Sequence, residues 1–366
     1  RANLRYHDVD YKTPLAGFVG SNTTGAVTVH NTPHSFTTTS GKVEATYRLP
    51  ANFSVTGGVD HSQQDRTFPQ FDAERYVPFR AKLEETTYRV QLRRSLSDTV
   101  NGSLAYLHSK RLGSGFTSTN ALPSDQINPI HITDRERNKW RLSLDWSPLQ
   151  KLSFQFNVED ARDDYGHSEE RPYGLRDGSA RLYSLDANYT PTEDSQLNAW
   201  YSHDETNARQ FAGRWAAATL DADKDAHLRD RGDSIGLGGR AKMGAKFRVG
   251  ADLQWTRNRS RYDENVALTG GFSTRYSTSA GVTAVPLPDI ENRLTRLTLF
   301  ATYTVQKNAH LRLDLIHERW NTDDWSWMFA NGTPYAYGTT TDGTTVTANQ
   351  KQTSNFVGIR YIYKFQ

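Results

Sequence analysis

Residues 291–320 read ENRLTRLTLFATYTVQKNAHLRLDLIHERW, and this stretch decides the fold. Over 291–305, Leu297, Leu299, Ala301, Tyr303 and Val305 share one parity, while Arg296, Thr298, Thr302 and Thr304 take the other. Gln306-Lys307-Asn308 breaks the pattern, which resumes with Leu311, Leu313 and Leu315 against Arg312, Asp314 and Glu318. A period of two puts apolar and polar residues on opposite faces of a strand; a helix would need apolar residues three and four apart. Two such runs around a short polar break predict a hairpin of long strands.

The same alternation recurs outward from this hairpin. Phe247, Val249, Ala251, Leu253 and Trp255 oppose Arg248, Asp252 and Gln254; Trp140, Leu142, Leu144 and Trp146 oppose Arg141, Ser143 and Asp145; Tyr88, Val90 and Leu92 oppose Arg89, Gln91 and Arg93. Fourteen strands are predicted, near 1–8, 41–49, 52–64, 82–95, 99–110, 135–147, 152–165, 180–190, 195–205, 232–242, 246–258, 291–305, 309–320 and 353–366.

Their connections alternate in length. Short turns are predicted at Pro50-Ala51, Ser97-Asp98, 147–150, 191–194, Gly244-Ala245 and 306–308. Long loops are predicted near 9–40, 65–81, 111–134, 166–179, 206–231, 259–290 and 321–352. Outer-membrane barrels keep this rhythm, with short turns in the periplasm and long loops outside. The expectation is an all-β, antiparallel up-and-down transmembrane barrel in the bacterial outer membrane, residues 1–366 forming one domain. The competing reading is a soluble antiparallel sheet with one wet face. It gives no reason for the rhythm or for strands of a dozen residues.

Composition agrees. A hydrophobic fraction of 36% and the absence of any run of eighteen apolar residues exclude a transmembrane helix but not a barrel, whose strands are half polar. There is no cysteine, which excludes disulfides, thiolate metal sites and covalent c-type haem attachment in these 366 residues. A net charge of +3 gives no reason to expect a nucleic-acid partner. The run from Arg1 to Tyr6 reads as the middle of a strand, so further sequence upstream is expected.

The apolar faces carry no charge, as lipid contact requires. Trp146, Tyr189, Trp255, Tyr303 and Trp320 near strand ends predict two interfacial girdles. The opposite face supplies the lumen candidates Arg89, Arg93, Arg141, Asp145, Arg248, Asp252, Arg312, Asp314 and Arg360. Such a mixed-sign wall suits either a hydrated, self-paired lining or a surface matched to a polar cargo.

No catalytic or metal motif rises above chance. The eleven histidines show no paired spacing on a helix, and no nucleophile elbow is present, so no enzyme is expected. Asp221, Asp223 and Asp225 resemble the start of a calcium loop, but Ala226 and Gly232 stand where Gly and Glu are needed. Gly236, Gly238 and Gly239 have no helix behind them and make no dinucleotide site. The closing segment, with outward residues Val357, Ile359, Tyr361, Tyr363 and Phe365, resembles the C-terminal signal read by the barrel assembly machinery; Gly358, Tyr361, Tyr363 and Phe365 carry that likeness, and Gln366 after the terminal Phe departs from it.

The C-terminal third also resembles the decahaem-associated outer-membrane proteins typified by MtrB and PioB. The residues are 321–328 (NTDDWSWM), 331–334 (NGTP), 341–346 (TDGTTV), the strand 311–315 (LRLDL) and the close 355–365 (NFVGIRYIYKF). The resemblance implies a barrel that sheathes a periplasmic multihaem c-type cytochrome and carries no haem itself. Electrons would cross the outer membrane through that partner, and the outer loops could dock an extracellular cytochrome. Lumen residues would grip the partner. Family members are longer, and some carry a C-x-x-C near the N-terminus, so an N-terminal portion is expected to be missing. Geometry points the same way: fourteen strands ~4.8 Å apart and tilted ~40° would close at a radius of roughly 14–15 Å. A bore of about 20 Å is tight for a multihaem protein. The alternative is a porin-like diffusion channel for small solutes.

Overall fold

The alternation is realised as one large antiparallel sheet. The computed structural model describes residues 1–12, 17–22, 25–30, 35–67, 80–115, 127–128, 133–166, 173–216, 219–268, 287–325, 336–337, 346–347 and 350–364. In chain order the strands are β1 (Ala2–Val9), β2 (Gly17–Asn22), β3 (Gly25–His30), β4 (Ser35–Arg48), β5 (Phe53–Thr67), β6 (Lys82–Ser95), β7 (Val100–Gly113) and β8 (Ile127–Asn128). They continue with β9 (Arg135–Leu149), β10 (Leu152–Tyr165), β11 (Tyr173–Thr192), β12 (Ser195–Ala216), β13 (Thr219–Met243) and β14 (Phe247–Leu268). The last are β15 (Ile290–Gln306), β16 (Ala309–Asp323), β17 (Ala336–Tyr337), β18 (Val346–Thr347) and β19 (Lys351–Tyr363).

Fourteen of these run in the order β1-β4-β5-β6-β7-β9-β10-β11-β12-β13-β14-β15-β16-β19, each beside its neighbour in sequence. That is an up-and-down meander. Among the described residues β1 and β19 are its two ends and do not pair with each other, so the sheet is open. The short pieces β2/β3 and β17/β18 form separate hairpins, and β8 bridges the start of β11 in parallel. All fourteen expected strands are present, and the short turns fall between them as read.

Several strands outrun the expectation. The segment 206–231, read as a long loop, is instead a continuous extension of the β12/β13 hairpin, paired from Thr206↔Asp230 to Ala216↔Thr219. Likewise β11 begins at Tyr173 and β14 runs to Leu268. The calcium-loop reading falls with that correction. Residues two apart on an extended strand stand ~7 Å apart and cannot wrap an ion. Asp225 is instead held by both Nε and Nη2 of Arg209, at 3.0 and 2.7 Å.

The registers carry one apolar belt across the sheet. A single row passes through Leu313↔Ile359, Leu313↔Ala301, Ala301↔Val249 and Val249↔Ala241. Another passes through Leu253↔Leu237 and Leu237↔Ala199. Leu237, Leu253, Leu299, Leu313 and Ile359 are all solvent-exposed here, as a lipid-facing belt is in the protein taken alone. Buried residues within the strands fall mainly on the other parity: Ala105, Ser109, Ala161, Asp163, Tyr165, Ala226 and Asp314. The polar face is therefore the enclosed, inward one.

Aromatics border the belt at both rims. Near the short turns, Trp146 stacks on Phe154 at 5.2 Å and Phe247 meets Tyr303 at 4.9 Å, with Tyr189 in the same zone. Near the long connections stand the Tyr106–Trp140 pair at 4.8 Å, Tyr201 and Trp255. Trp320 does not belong to a girdle: its register partners Leu294 and Gln352 place it on the inward parity. At the β4–β5 turn, Ala51 and Asn52 both take left-handed φ, 59° and 61°, and the Leu49 N–H donates to the Phe53 carbonyl at 2.8 Å. Paired left-handed residues match the strand twist of tight hairpins.

Candidate functional site

All nine lumen candidates fall on the inward parity. Arg89 and Arg93 alternate with outward Tyr88, Val90 and Leu92 on β6; Arg141 and Asp145 alternate with Trp140, Leu142 and Trp146 on β9. Arg248 and Asp252 lie between Phe247 and Leu253 on β14, and Arg312, Asp314 and Arg360 line the close of the sheet on β16 and β19.

The wall is neutralised locally. Arg89 reaches Glu44 of β4 at 2.6 Å, and Glu44 also takes Lys42 at 3.0 Å. Glu159 of β10 receives Arg141 at 2.5 Å and also pairs with Lys139. Asp314 sits between Arg312 and Arg360, 2.7 Å from each. Asp252 stands 3.8 Å from Arg240. The candidates thus do not converge on one centre. Six of the nine take part in separate ion pairs, across or along the strands, each worth little against water, while no ion pair forms at Arg93, Asp145 or Arg248 among the described residues.

Sequence reasoning missed the acidic partners Glu44 and Glu159, and the shaping of the wall by glycine. Trp200 of β12 faces inward and lies across Gly236 of β13, while Phe300 of β15 lies across Gly250 of β14. A Cβ at either glycine would fall within the ring. Gly238 likewise leaves room for Asn198 and Asp252. Rings laid flat on glycine keep the wall smooth, and the Arg312 guanidinium stacks 4.3 Å above Phe300. The inward parity of Trp200 and Phe300 was readable; the glycine opposite each required the register.

Towards the long connections the inward face becomes a denser network. Asp163 takes both Nε and Nη2 of Arg137 at 2.6 Å, and the Tyr165 hydroxyl donates to it at 3.3 Å. Arg135 pairs with Glu85 at 2.7 Å. Arg80, buried, donates to Asp134 and to the Gly113 carbonyl at 2.6 Å and to the Ser114 carbonyl at 2.5 Å. It ties the ends of β6, β7 and β9 together.

Of the assembly-signal residues, Tyr361 and Tyr363 face outward and are exposed. Gly358 pairs with Asp314 on the inward parity and makes room for the Phe356 ring. Phe365 lies outside the described residues. His61, His108, His203 and His317 share the outward parity just above the belt and bond Thr86, Asn138, Asp233 and Asn355. Among the described residues no three His, Asp or Glu are grouped to hold a metal ion.

Residues 1–365 match the family model described as outer membrane beta-barrel porin, MtrB/PioB. Outer membrane protein MtrB of Shewanella baltica (strain OS185) is 22% identical over 327 residues, covering 87% of this chain; the chain spans only 43% of that relative. Among solved structures, the unliganded ferric citrate transporter FecA superposes with a TM-score of 0.50 at 12% identity, over 87% of this chain and 43% of that one. The ferric-catecholate import receptor Fiu of E. coli K12 follows at 0.49 and 11%, over 80% and 56%. The likeness to FecA is one of fold alone.

Proposed function

Because the chain belongs to the MtrB/PioB family of outer-membrane β-barrel porins, we propose that it supplies the wall of a barrel that sheathes a periplasmic multihaem c-type cytochrome for electron transfer across the outer membrane. The long connections face outward and the short turns the periplasm, as barrels of this class are oriented. The role is structural rather than catalytic. Haem is carried by the partner, since these residues contain no cysteine to attach it.

The observation that supports this most is the character of the inward wall. Many of its charges are held in lateral pairs such as Arg141–Glu159 and Arg360–Asp314. Two of its rings, Trp200 and Phe300, lie across Gly236 and Gly250. A wall of this kind offers many shallow polar contacts to a large folded guest. Gripping of the partner by Arg89, Arg93, Arg141, Asp145, Arg248, Asp252, Arg312, Asp314 and Arg360 is part of the proposal, as is docking of an extracellular cytochrome on the outer connections. Recognition of Gly358, Tyr361, Tyr363 and Phe365 by the assembly machinery is a further part.

The test is a visible absorption spectrum of the protein purified from its own outer membrane in mild detergent. A c-type Soret band that survives a high-salt wash is expected, and deletion of the gene should abolish extracellular electron transfer. A colourless, well-folded barrel that conducts ions in a planar bilayer would overturn the sheath and make the protein a diffusion channel for small solutes.

A further inference from the structure

Above the apolar belt, on the lipid-facing side, six arginines gather on three adjacent strands. On β13, β14 and β15, the outward residues above Ile235 and Trp255 include Arg229, Arg231, Arg257, Arg259, Arg261 and Arg293. Five carboxylates share that area: Glu205 on the neighbouring β12, Asp233, Asp263, Asp289 and Glu291.

The arginines are not merely near one another. Arg229 stands directly opposite Arg261, Arg231 opposite Arg259, and Arg257 opposite Arg293. Like charges directly opposite across two strands are destabilising. Three such pairs in successive rows form an arrangement that the protein alone does not favour and that a bound polyanion would reverse. Asp263 pairs with Arg261 at 2.8 Å, and two of the other acids are shared among several arginines. Glu291 takes Arg257 at 2.6 Å, Arg259 at 3.4 Å and Arg293 as well; Glu205 is shared by Arg231 at 3.0 Å and Arg229 at 3.9 Å. Even so, the six side chains stay between 36% and 55% exposed. A guanidinium has five donors, so each keeps some facing solvent. Four of the six, Arg229, Arg231, Arg259 and Arg261, line one cleft with Asp289.

Height selects the ligand. These residues lie two to six positions beyond Trp255 along β14 or on the equivalent rows. That places them roughly 5–15 Å above the girdle for a strand tilted ~40°. This is the headgroup zone of the leaflet beside the long connections, on the face that meets lipid. The planar guanidinium fork matches phosphate oxygens two at a time. Outward rows repeat at ~7 Å along a strand and ~4.8 Å between strands, so the patch meets closely spaced phosphates rather than one.

We propose that this outward arginine patch, centred on Arg231, Arg259 and Arg261, binds the phosphates of a multiply phosphorylated lipid headgroup in the leaflet at the long-connection rim. The proposal rests on the outer-membrane placement and on the loops facing outward, not on a cytochrome partner.

The experiment uses protein purified from its own outer membrane and stripped of lipid by detergent exchange. Thermal unfolding is followed by loss of the compact form on unboiled gels. Four probes are added at matched concentration: bisphosphorylated lipid A, its dephosphorylated counterpart, phosphatidylglycerol and inorganic phosphate. The bisphosphorylated lipid should raise the unfolding temperature by several degrees more than any other probe. The variant Arg231→Gln/Arg259→Gln/Arg261→Gln should lose most of that rise. Equal shifts with the phosphorylated and dephosphorylated lipids would overturn the proposal, as would a full shift with inorganic phosphate alone or an undiminished shift in the folded variant. If the variant does not fold, the comparison of the lipids on the unaltered protein decides the matter by itself. The readout ignores haem colour, so its failure is distinct from failure of the sheath.

Discussion

Trp200 of β12 lies across Gly236 of β13 on the inward face, close enough that a methyl group at 236 would fall within the indole. Gly236→Ala must therefore displace the ring. The expected cost is about 1–3 kcal/mol, the usual penalty of overpacking. Trp200→Ala alone opens space and costs less at this water-facing wall. The two changes together should be far less damaging than their sum, because the second removes what the first collides with. A double-mutant cycle on detergent-solubilised protein checks this, and strict additivity would show that the ring does not rest on the glycine.

The assignment of faces makes a sharper demand on neighbouring residues. Leu299 is exposed on the lipid side between Ala251 and Leu315, while Thr298 beside it faces inward between Asp252 and Ile316. Leu299→Arg should cost about 2–4 kcal/mol, as a cation does at mid-belt. Thr298→Arg should be tolerated within about 1 kcal/mol, because the inward wall already carries arginines beside water. Unfolding in urea from lipid vesicles measures both; equal penalties would place both residues in the same environment.

The limits of the sequence reading have one physical cause. Within the belt, lipid on one side and water on the other write a period of two into the residues, and strands such as 291–305 and 309–320 appear almost at their observed ends, Ile290–Gln306 and Ala309–Asp323. Above the belt both faces are wet. The backbone ladder of β12 and β13 continues to Ala216 and Thr219, yet Glu205, Arg209, Arg229 and Arg231 now occupy the outward rows. Alternation vanishes while hydrogen bonding persists, so 206–231 reads as a loop. The nine inward candidates were legible because parity alone fixes them. Their partners were not: Glu44 for Arg89 and Glu159 for Arg141 come from neighbouring strands, and only register brings them together.

Glu291 makes acid stability testable. A hydrogen bond from Arg257, with a second from Arg293, holds its carboxyl down to about 2, against the opposing effect of desolvation. It lies on β15 above the belt, opposite Arg259. Because the folded value is depressed, the unfolded chain binds the extra proton in this range. The contribution to stability is full above the ordinary carboxylate value of 4.5 and is lost as pH falls from there towards 2. Glu291→Gln should lower the unfolding temperature at neutral pH, and the gap to the unaltered protein should close across that window. A gap that persists unchanged at low pH would mean the carboxylate charge is not what stabilises the rim.

On the proposed sheathing role, the lateral pairing of wall charges predicts how the guest is held. Arg360 and Arg312 face each other across β16 and β19, and Asp314 takes both at 2.7 Å. Where the wall's charges are satisfied from within in this way, long-range attraction contributes little, and retention rests on short-range contact. Raising salt to about 1 M shrinks the screening length to about 3 Å and should leave the haem-to-barrel ratio of the purified complex nearly unchanged. Asp314→Ala exposes two adjacent guanidiniums and creates a local positive field. In that variant the ratio should become salt-dependent, falling where the facing guest surface is acidic and rising where it is basic. Absorbance at the Soret band against total barrel protein, measured across a salt series, gives the slope. A steep slope for the unaltered protein would mean that unpaired charge, not contact, holds the partner, and that the pairs seen at the wall open when it is bound.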